Sequence, residues 1–287
     1  MVKSMWQKNY DGSPCLYLIP TPIGNMDDMT YRAVKTLESV DILFSEDTRV
    51  TLQLLQHFNI HKKLIALHDH NEDIVKDKVL EYLKNGMSVG IVTDRGTPII
   101  SDPGYKTVKY VSENGFNVVG LPGANAFVPA LIVSGIAPQP FTFYGFLDSK
   151  DSKKEKELRS LKDVSNTIIF YEAPHRILKT MGMMLEIFGD REVSLSREIS
   201  KKFESVYRGK ISDLIPTLEN IKGEFVIVVS GNDGTYFENN DDEIDIVSKI
   251  NSYIDDGMDT MSAIKRVSKE RKMKKSDVYS MYHKESK

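Results

Sequence analysis

Two aspartates, two glycines and two prolines fall within residues 94–104, directly after the apolar run of residues 87–93. An ordinary connection between two elements needs about two to six residues and few special residue types. Glycine lets the main chain approach a ligand closely, and a carboxylate accepts hydrogen bonds from hydroxyl or ammonium groups. The composition of this turn therefore indicates a binding loop in which Asp94, Gly96 and Gly104 lie beside a ligand.

Four other predicted strands end in segments of the same kind. These strand exits are IPTPIGN (19–25), SEDTR (45–49), HDHNE (68–72) and LPGANA (121–126). Ligands of open α/β sheets bind beside the carboxyl ends of the strands. Any one exit could be an ordinary turn or a solvated charge cluster, but five on one edge favour a pocket lined by tight backbone.

The elements that position these exits follow from alternating strand and helix patterns in the first 125 residues. Apolar runs predict strands within residues 14–24, 41–49, 63–72, 87–94 and 117–123. Apolar residues at helical spacing predict helices at 30–40, 51–58, 73–86 and 105–115. This alternation predicts an α/β domain with a mostly parallel sheet over residues 1–125.

The pattern changes after residue 125. The strands predicted within residues 192–200, 202–209 and 223–231 have few helices between them, so residues 126–232 are predicted to form a second α/β domain with a mixed sheet. Residues 233–245 are polar and acidic and are predicted to be a linker. Residues 246–287 contain helical patterns and clustered Lys and Arg, which predict a small basic helical domain.

Composition and spacing exclude several classes of protein. The single cysteine, Cys15, rules out an internal disulfide and fits a reducing cytosol. The first fifteen residues lack the apolar region of a secretory signal, and no apolar run approaches the roughly 18 residues of a membrane helix. Zinc-ligand spacing, a P-loop and a GxGxxG turn are absent, and a net charge of −3 argues against a free-standing binder of naked nucleic acid. We therefore expect a cytoplasmic protein with no metal site and no membrane partner.

Eight motifs occur in a fixed order along the chain. They are PTPIGN, DILFSEDTR, HNE, TDRGTPIISDPG, LPGANA, EAPHR, SREISKKFE and KGEFV. With these motifs the chain resembles the tetrapyrrole methylase superfamily, and within it the branch of bacterial 16S rRNA (cytidine-2′-O)-methyltransferases. The resemblance covers residues 14–231 and extends into the basic tail. It departs from the family at Arg95, where alanine is usual, and this places a large charge beside the predicted pocket.

The resemblance implies two α/β domains with S-adenosylmethionine bound in the cleft between them. It also implies 2′-O-methylation of a cytidine in the 16S rRNA of the small ribosomal subunit, carried out by a homodimer. The residues implied to contact the cofactor are Pro22, Ile23, Gly24, Asp94, Gly96, Thr97, Pro98, Tyr171, Glu172, Ala173, Gly223, Glu224 and Phe225.

Such a reaction removes a proton from a ribose hydroxyl, so a general base helps. The candidate bases are Glu46, Asp47, Glu72, Glu172 and Lys201, with His175 a weaker one. The SEDTR and EAPHR clusters are favoured because their charges have no evident structural role. The predicted catalytic residues are therefore Glu46, Asp47, Arg49, Glu172, His175 and Arg176, the last of which is expected to grip phosphate. Asp102 either faces the cleft or caps the next helix.

Two other functions share these features. A C-methyltransferase of corrins or other tetrapyrroles has the same fold but needs a large apolar cleft and no basic tail. A non-catalytic ribosome-assembly factor would have lost its pocket residues, whereas all five strand exits are intact. The basic residues expected to contact RNA are Lys153, Lys154 and Lys156, and in the tail Arg266, Lys269, Arg271, Lys272, Lys274 and Lys275.

Overall fold

The structure is a computed structural model of the chain. It describes residues 6–9, 11–219, 221–234, 246–255, 257–271 and 273–285. Lys272 and residues 235–245, most of the predicted acidic linker, lie outside the described residues.

The first domain is built on a five-stranded parallel sheet with the order β3-β2-β4-β1-β5. Its strands are β1 (Cys15–Leu18), β2 (Ile42–Ser45), β3 (Leu64–Ala66), β4 (Val89–Val92) and β5 (Asn117–Gly120). The helices between them are α1 (Tyr31–Ser39), α2 (Thr48–His57), α3 (Glu72–Lys84) and α4 (Tyr105–Glu113). Every residue of β2 and of β4 is buried, as expected for central strands of a parallel sheet covered on both faces.

The second domain is built on a mixed sheet with the order β6-β7-β10-β8-β9, in which only the β6–β7 pair is parallel. Its strands are β6 (Phe141–Phe146), β7 (Thr167–Glu172), β8 (Glu192–Arg197), β9 (Ser205–Lys210) and β10 (Phe225–Val229). The helices are α5 (Phe127–Val133), α6 (Asp151–Leu161), α7 (Ile177–Phe188) and the short α8 (Ile211–Leu214).

Helices cover both faces of this second sheet. Leu131 of α5 packs with Ile169 and Val228 on one face, and Met181 of α7 belongs to the larger core that contains Phe170 on the other. The predicted fold class, two α/β domains followed by helices, is confirmed.

Three helices end the described chain: α9 (Ile246–Asp255), α10 (Thr260–Glu270) and α11 (Lys275–Glu285). They share a small core centred on Ile250, Ile264 and Val278. Asp259 caps α10 by accepting a hydrogen bond from the Ser262 N–H. None of the described helices is both long enough and apolar enough to span a bilayer.

Candidate active site

A cavity of about 500 Å³ lies between the two α/β domains. The first domain lines it with the loop after β4 and with Asn125 and Ala126, which follow β5. The second domain lines it with residues 171–175 at the end of β7, with the loop after β8 and with the start of β10. The five loops predicted from the sequence therefore do not contribute equally, because the exits of β2 and β3 do not line this cavity.

Tight backbone shapes the loop after β4. Thr21 and Gly96 exchange two main-chain hydrogen bonds of 2.9 and 3.0 Å, which fix this loop against the exit of β1. Gly96 has a φ of 85°, and the non-glycine residues Ile99 and Ser101 have φ values of 77° and 67°. Left-handed backbone at non-glycine residues costs about 1–3 kcal/mol and clusters at functional sites. The Thr97 hydroxyl also donates to the Ala124 carbonyl, at 3.0 Å.

Asp102 faces this cavity and does not cap the following helix. Helix α4 begins at Tyr105, and its N-cap residue is Gly104, which has no side chain to accept a hydrogen bond. The carboxylate that serves this helix end is Glu72, whose Oε1 accepts from the Thr107 N–H at 2.9 Å. Burial raises the pKa of Asp102 to about 6, and the carboxylates of Glu46, Asp94 and Asp69 add to the effect. The sequence left both roles of Asp102 open, and the structure decides for the cleft.

Glu172 lines the cavity, but its carboxylate belongs to a buried network. Its side chain is 1 % exposed, and its Oε2 accepts a 2.6 Å hydrogen bond from the Thr180 hydroxyl. Lys154 Nζ lies 3.6 Å from Oε2 and donates to Thr180, while Arg176 Nε lies 3.0 Å from Oε1. The Arg176 Nη2 also donates to the Leu147 carbonyl at 2.7 Å.

This network corrects two expectations. Lys154 was expected on an exposed basic face, but its side chain is 2 % exposed, since the charged helix α6 packs this one lysine inward against β7. The charges of the EAPHR segment were thought to lack a structural role, but Glu172 and Arg176 hold the β7–α7 turn through these contacts.

The SEDTR segment also has structural roles. Asp47 caps α2 by accepting from the Arg49 N–H at 2.8 Å, and it pairs with the Arg49 guanidinium. Hydrogen bonds from Arg49 lower the pKa of Asp47 to about 2. Glu46 Oε2 accepts from the Thr93 hydroxyl at 3.1 Å. Neither carboxylate lines the large cavity.

A chain of four charged side chains crosses the mouth of the cleft. Arg95 Nη1 donates to Glu224 Oε1 at 2.7 Å, and Lys201 Nζ donates to Glu224 Oε2 at 2.8 Å and to Glu198 Oε1 at 2.9 Å. Although burial opposes it, the hydrogen bonds to Glu224 and Glu198 raise the pKa of Lys201. Arg95, the departure from the family pattern, therefore ties the first domain to the second.

Two predicted glycines allow close approach between loops of this region. A Cβ on Gly24 would lie 2.4 Å from Lys201 Cγ, and one on Gly223 would lie 2.6 Å from Glu198 Cγ. Both positions bring the main chain against the loop after β8.

The predicted site residues fall into three groups. Those that line the large cavity are Ile23, Gly96, Thr97, Tyr171, Glu172, Ala173, His175, Glu224 and Phe225. Pro22, Gly24 and Asp94 line a neighbouring cavity of about 150 Å³. Pro98, Gly223, Glu46, Asp47, Arg49 and Arg176 line neither. Glu198 and Ile199 also line the large cavity but were not among the predicted site residues. Asn125 lies within the predicted exit of β5, and Asp102 was left open.

The large cavity suits a cationic nucleoside derivative such as S-adenosylmethionine. Its volume lies in the range of small-molecule sites, about 300–1,000 Å³. Ile100, Phe146, Tyr171 and Phe225 supply apolar surface for a base, and the carboxylates in the lining, Asp102 and Glu198 among them, suit a ligand with a positive charge. Among the described residues, no cluster of three His, Cys, Asp or Glu could hold a metal ion.

Comparison with known sequences decides the family. The family model described as Tetrapyrrole (Corrin/Porphyrin) Methylases matches residues 15–215, more than half of the chain. The chain belongs to the tetrapyrrole methylase family. The family match covers the first domain and the second domain up to residue 215, so it includes both walls of the cavity except Glu224, Phe225 and Val226.

Curated relatives narrow the comparison within the family. A Bacillus subtilis protein named Ribosomal RNA small subunit methyltransferase I is 45 % identical over 273 residues, which cover 93 % of this chain and 94 % of the relative. A protein of the same name from Halalkalibacterium halodurans is 40 % identical, over 96 % of this chain and 96 % of the relative. Another from Vibrio cholerae is 45 % identical, over 77 % of this chain and 78 % of the relative.

Solved structures share the fold at lower identity. The uroporphyrin-III-C-methyltransferase of Thermus thermophilus superposes with a TM-score of 0.54 at 18 % identity, over 78 % of this chain and 97 % of that one. A cobalt precorrin-4 methyltransferase gives a TM-score of 0.57 at 18 % identity, over 75 % and 94 % of the two chains. At this identity the likeness concerns the fold alone.

Proposed function

We propose that the chain is an S-adenosylmethionine-dependent methyltransferase that modifies the ribose 2′-oxygen of a cytidine in 16S rRNA of the small ribosomal subunit. The observation that carries this proposal is the cavity between the two α/β domains, in a chain 45 % identical to an rRNA small subunit methyltransferase over 93 % of its length. The tetrapyrrole alternative is not proposed, because its solved representatives are only 18 % identical.

The residues of the cleft would hold the methyl donor through two kinds of contact. Gly96 and Thr97 present main chain, and Phe225 presents an apolar face. S-adenosylmethionine supplies an electrophilic methyl group, which leaves sulfur as the ribose oxygen bonds to it. Holding the two reactants in line can supply much of the rate, since effective molarities of about 10⁵ M or more are known for well-oriented groups.

We assign the role of proton acceptor to Asp102. Its pKa of about 6 makes it ionised at neutral pH and close in basicity to the operating pH, which is the optimum for a general base. Asp47, with its pKa lowered to about 2, is a weak base, and the raised pKa of Lys201 keeps that amine protonated. Glu172 is enclosed by its cationic partners, and Glu198 and Glu224 are paired with Lys201 and Arg95. His175 is therefore the second candidate among the described residues of the cavity.

The RNA substrate is proposed to be the assembled subunit in the cytoplasm, bound by a homodimer. An acidic chain with local basic surface suits a particle whose shape contributes to recognition. Lys269, Lys274 and Lys275 are exposed on the helical tail and supply such a surface.

Transfer of a labelled methyl group tests this function. The purified chain is incubated with methyl-labelled S-adenosylmethionine and unmethylated small ribosomal subunits, and label is expected in the RNA fraction. Deproteinised 16S rRNA is expected to accept much less label. Equal label in both would contradict the proposed substrate, and the absence of label from both would contradict the proposed function.

A further inference from the structure

The second cavity, of about 150 Å³, lies beside the methyl-donor cleft in the first domain. It is bounded by the exits of β1 and β4 and by helix α2. The main-chain bonds between Thr21 and Gly96 stand between the two cavities, and Arg95 lines both of them. A ligand that spans the two cavities would therefore pass Arg95.

Polar groups without partners surround this small cavity. Asp94 Oδ1 accepts from the Asp47 N–H at 3.0 Å, but Oδ2 has no hydrogen-bond partner among the described residues. The Thr51 hydroxyl also lacks a partner within the described chain, but its oxygen is fully buried behind the cavity wall. The amide of Gln53, likewise on α2, makes no hydrogen bond to another described residue.

Asp94 Oδ2 and the Gln53 amide line the cavity without a partner among the described residues, so they can bind the polar edges of a ligand. Val50 and Leu54 add apolar surface to the same wall. A cavity of about 150 Å³ accommodates one six-membered ring and is too small for a nucleoside. The matching ligand is a single heterocyclic ring with hydrogen-bonding groups around it.

The free carboxylate oxygen of Asp94 selects among such rings. Aspartate accepts a hydrogen bond from the N4 amino group of cytosine. Uracil has the acceptor O4 at that position, so its oxygen would be repelled by the carboxylate. Enzymes that do chemistry on a base turn it out of the stack into a pocket, and a base held in such a pocket here would fix the position of its own ribose.

We propose that the second cavity receives the cytosine base of the target nucleotide, with Asp94 Oδ2 accepting from its N4 amino group. The ribose then stands at Arg95, between the base and the methyl donor. This inference rests on the proposed function, and it assigns to Asp94 the reading of the substrate instead of the predicted contact with the cofactor.

The variant Asp94→Asn tests the assignment with little change of shape. Its amide oxygen can still accept from the Asp47 N–H, while its NH₂ replaces Oδ2 and donates to O4 of uracil. Methyl transfer is measured on small subunits reconstituted from transcribed rRNA that carries cytidine or uridine at the mapped position. We expect the cytidine-to-uridine ratio of kcat/KM to fall at least tenfold in the variant. The control Asp27→Asn removes the same charge from an exposed residue that follows the β1 exit and is expected to keep the wild-type ratio.

A further measurement separates this role from a contact with the cofactor. Calorimetric affinity for S-adenosylhomocysteine is expected to be the same in wild type and Asp94→Asn, because the ring cavity is distinct from the donor cleft.

An unchanged cytidine-to-uridine ratio in Asp94→Asn, with active wild type, overturns this inference alone. A tenfold loss of S-adenosylhomocysteine affinity in that variant overturns it in favour of a cofactor contact. A wild-type chain that methylates neither reconstituted subunit contradicts the proposed function, and this inference with it.

Discussion

Arg95 Nη1 lies 2.7 Å from Glu224 Oε1, and this ion pair joins the loop after β4 in the first domain to the residue before β10 in the second. The two side chains are 55 % and 63 % exposed. The pair crosses the mouth of the methyl-donor cleft and links its two walls, and both side chains remain accessible to water.

Removal of this ion pair should change stability little. Exposed ion pairs contribute about 0–1 kcal/mol, because water screens them and two side chains must be ordered. We expect Arg95→Ala to lower the free energy of unfolding in urea by less than about 1 kcal/mol, and the loss to shrink in about 1 M salt. Arg159→Ala breaks an exposed pair within α6 and serves as the control. A loss of several kcal/mol in Arg95→Ala alone would show that the pair holds the domains together.

The buried pair of Lys154 and Glu172 should behave in the opposite way. Removing Lys154 leaves Arg176 to compensate the charge of Glu172 but opens a cavity where the lysine side chain is packed, and truncation of a large buried side chain costs about 2–5 kcal/mol. We expect Lys154→Ala to lower the free energy of unfolding by that amount, measured by denaturant titration. Lys153→Ala, at the neighbouring exposed position, should change it by less than about 0.5 kcal/mol. Equal effects at the two positions would contradict the buried network.

Protonation of Asp102 should control activity below neutral pH. Because the carboxylate must be ionised to accept a proton, we expect kcat/KM to rise with pH through about 6 and then to level off. Asp102→Asn should reduce kcat/KM by about 10²–10⁴-fold and remove this dependence. The exposed residue Asp69, varied to Asn, should keep the rate and shift the profile to lower pH, since it no longer repels the Asp102 charge. If kcat/KM of Asp102→Asn depended on pH in the same way as that of wild type, another group would be the base.

The raised pKa of Asp102 also predicts how the stability of the fold depends on pH. Its pKa is higher in the folded chain than the ordinary value of 3.8, so the folded state binds more protons than the unfolded state between these values. The stability contributed by protonated Asp102 is therefore complete below about pH 4 and is lost as the pH rises through about 6. Relative to Asp102→Asn, the wild-type free energy of unfolding should fall across that window. An unchanged difference between the two proteins would contradict the raised pKa.

The sequence predicted the elements better than the roles of single side chains. Strands such as β4 and β10 are continuous apolar runs bounded by turns. This pattern is local in the sequence, so it can be recognised without knowing the tertiary structure. The burial of Lys154 left no such signal, because three lysines of α6 look alike until one packs against β7. The exposure of Asp102 to the cleft depends on left-handed backbone at Ile99 and Ser101, which no periodicity reveals.

The exposed lysines of the helical tail should contribute to subunit binding. We expect the triple variant Lys269→Glu, Lys274→Glu and Lys275→Glu to bind small subunits more weakly, with the difference shrinking as salt rises, because counterion release drives phosphate contacts. Its affinity for S-adenosylhomocysteine should not change. The control triple Lys78→Glu, Lys84→Glu and Lys109→Glu alters charge by the same amount on the first domain. Equal loss of binding in both triple variants would show that the tail lysines act only through the net charge of the protein.

The identity of the methylated nucleoside tests the proposed reaction most directly. Unmethylated small subunits are treated with the chain and S-adenosylmethionine, the 16S rRNA is digested to nucleosides, and the products are separated and identified by mass spectrometry. We expect a single new product, 2′-O-methylcytidine, which forms about 10²–10⁴-fold more slowly when the Asp102→Asn variant replaces the wild type. A methyl group on a base, on a nucleoside other than cytidine, or the absence of any methylated product would contradict it.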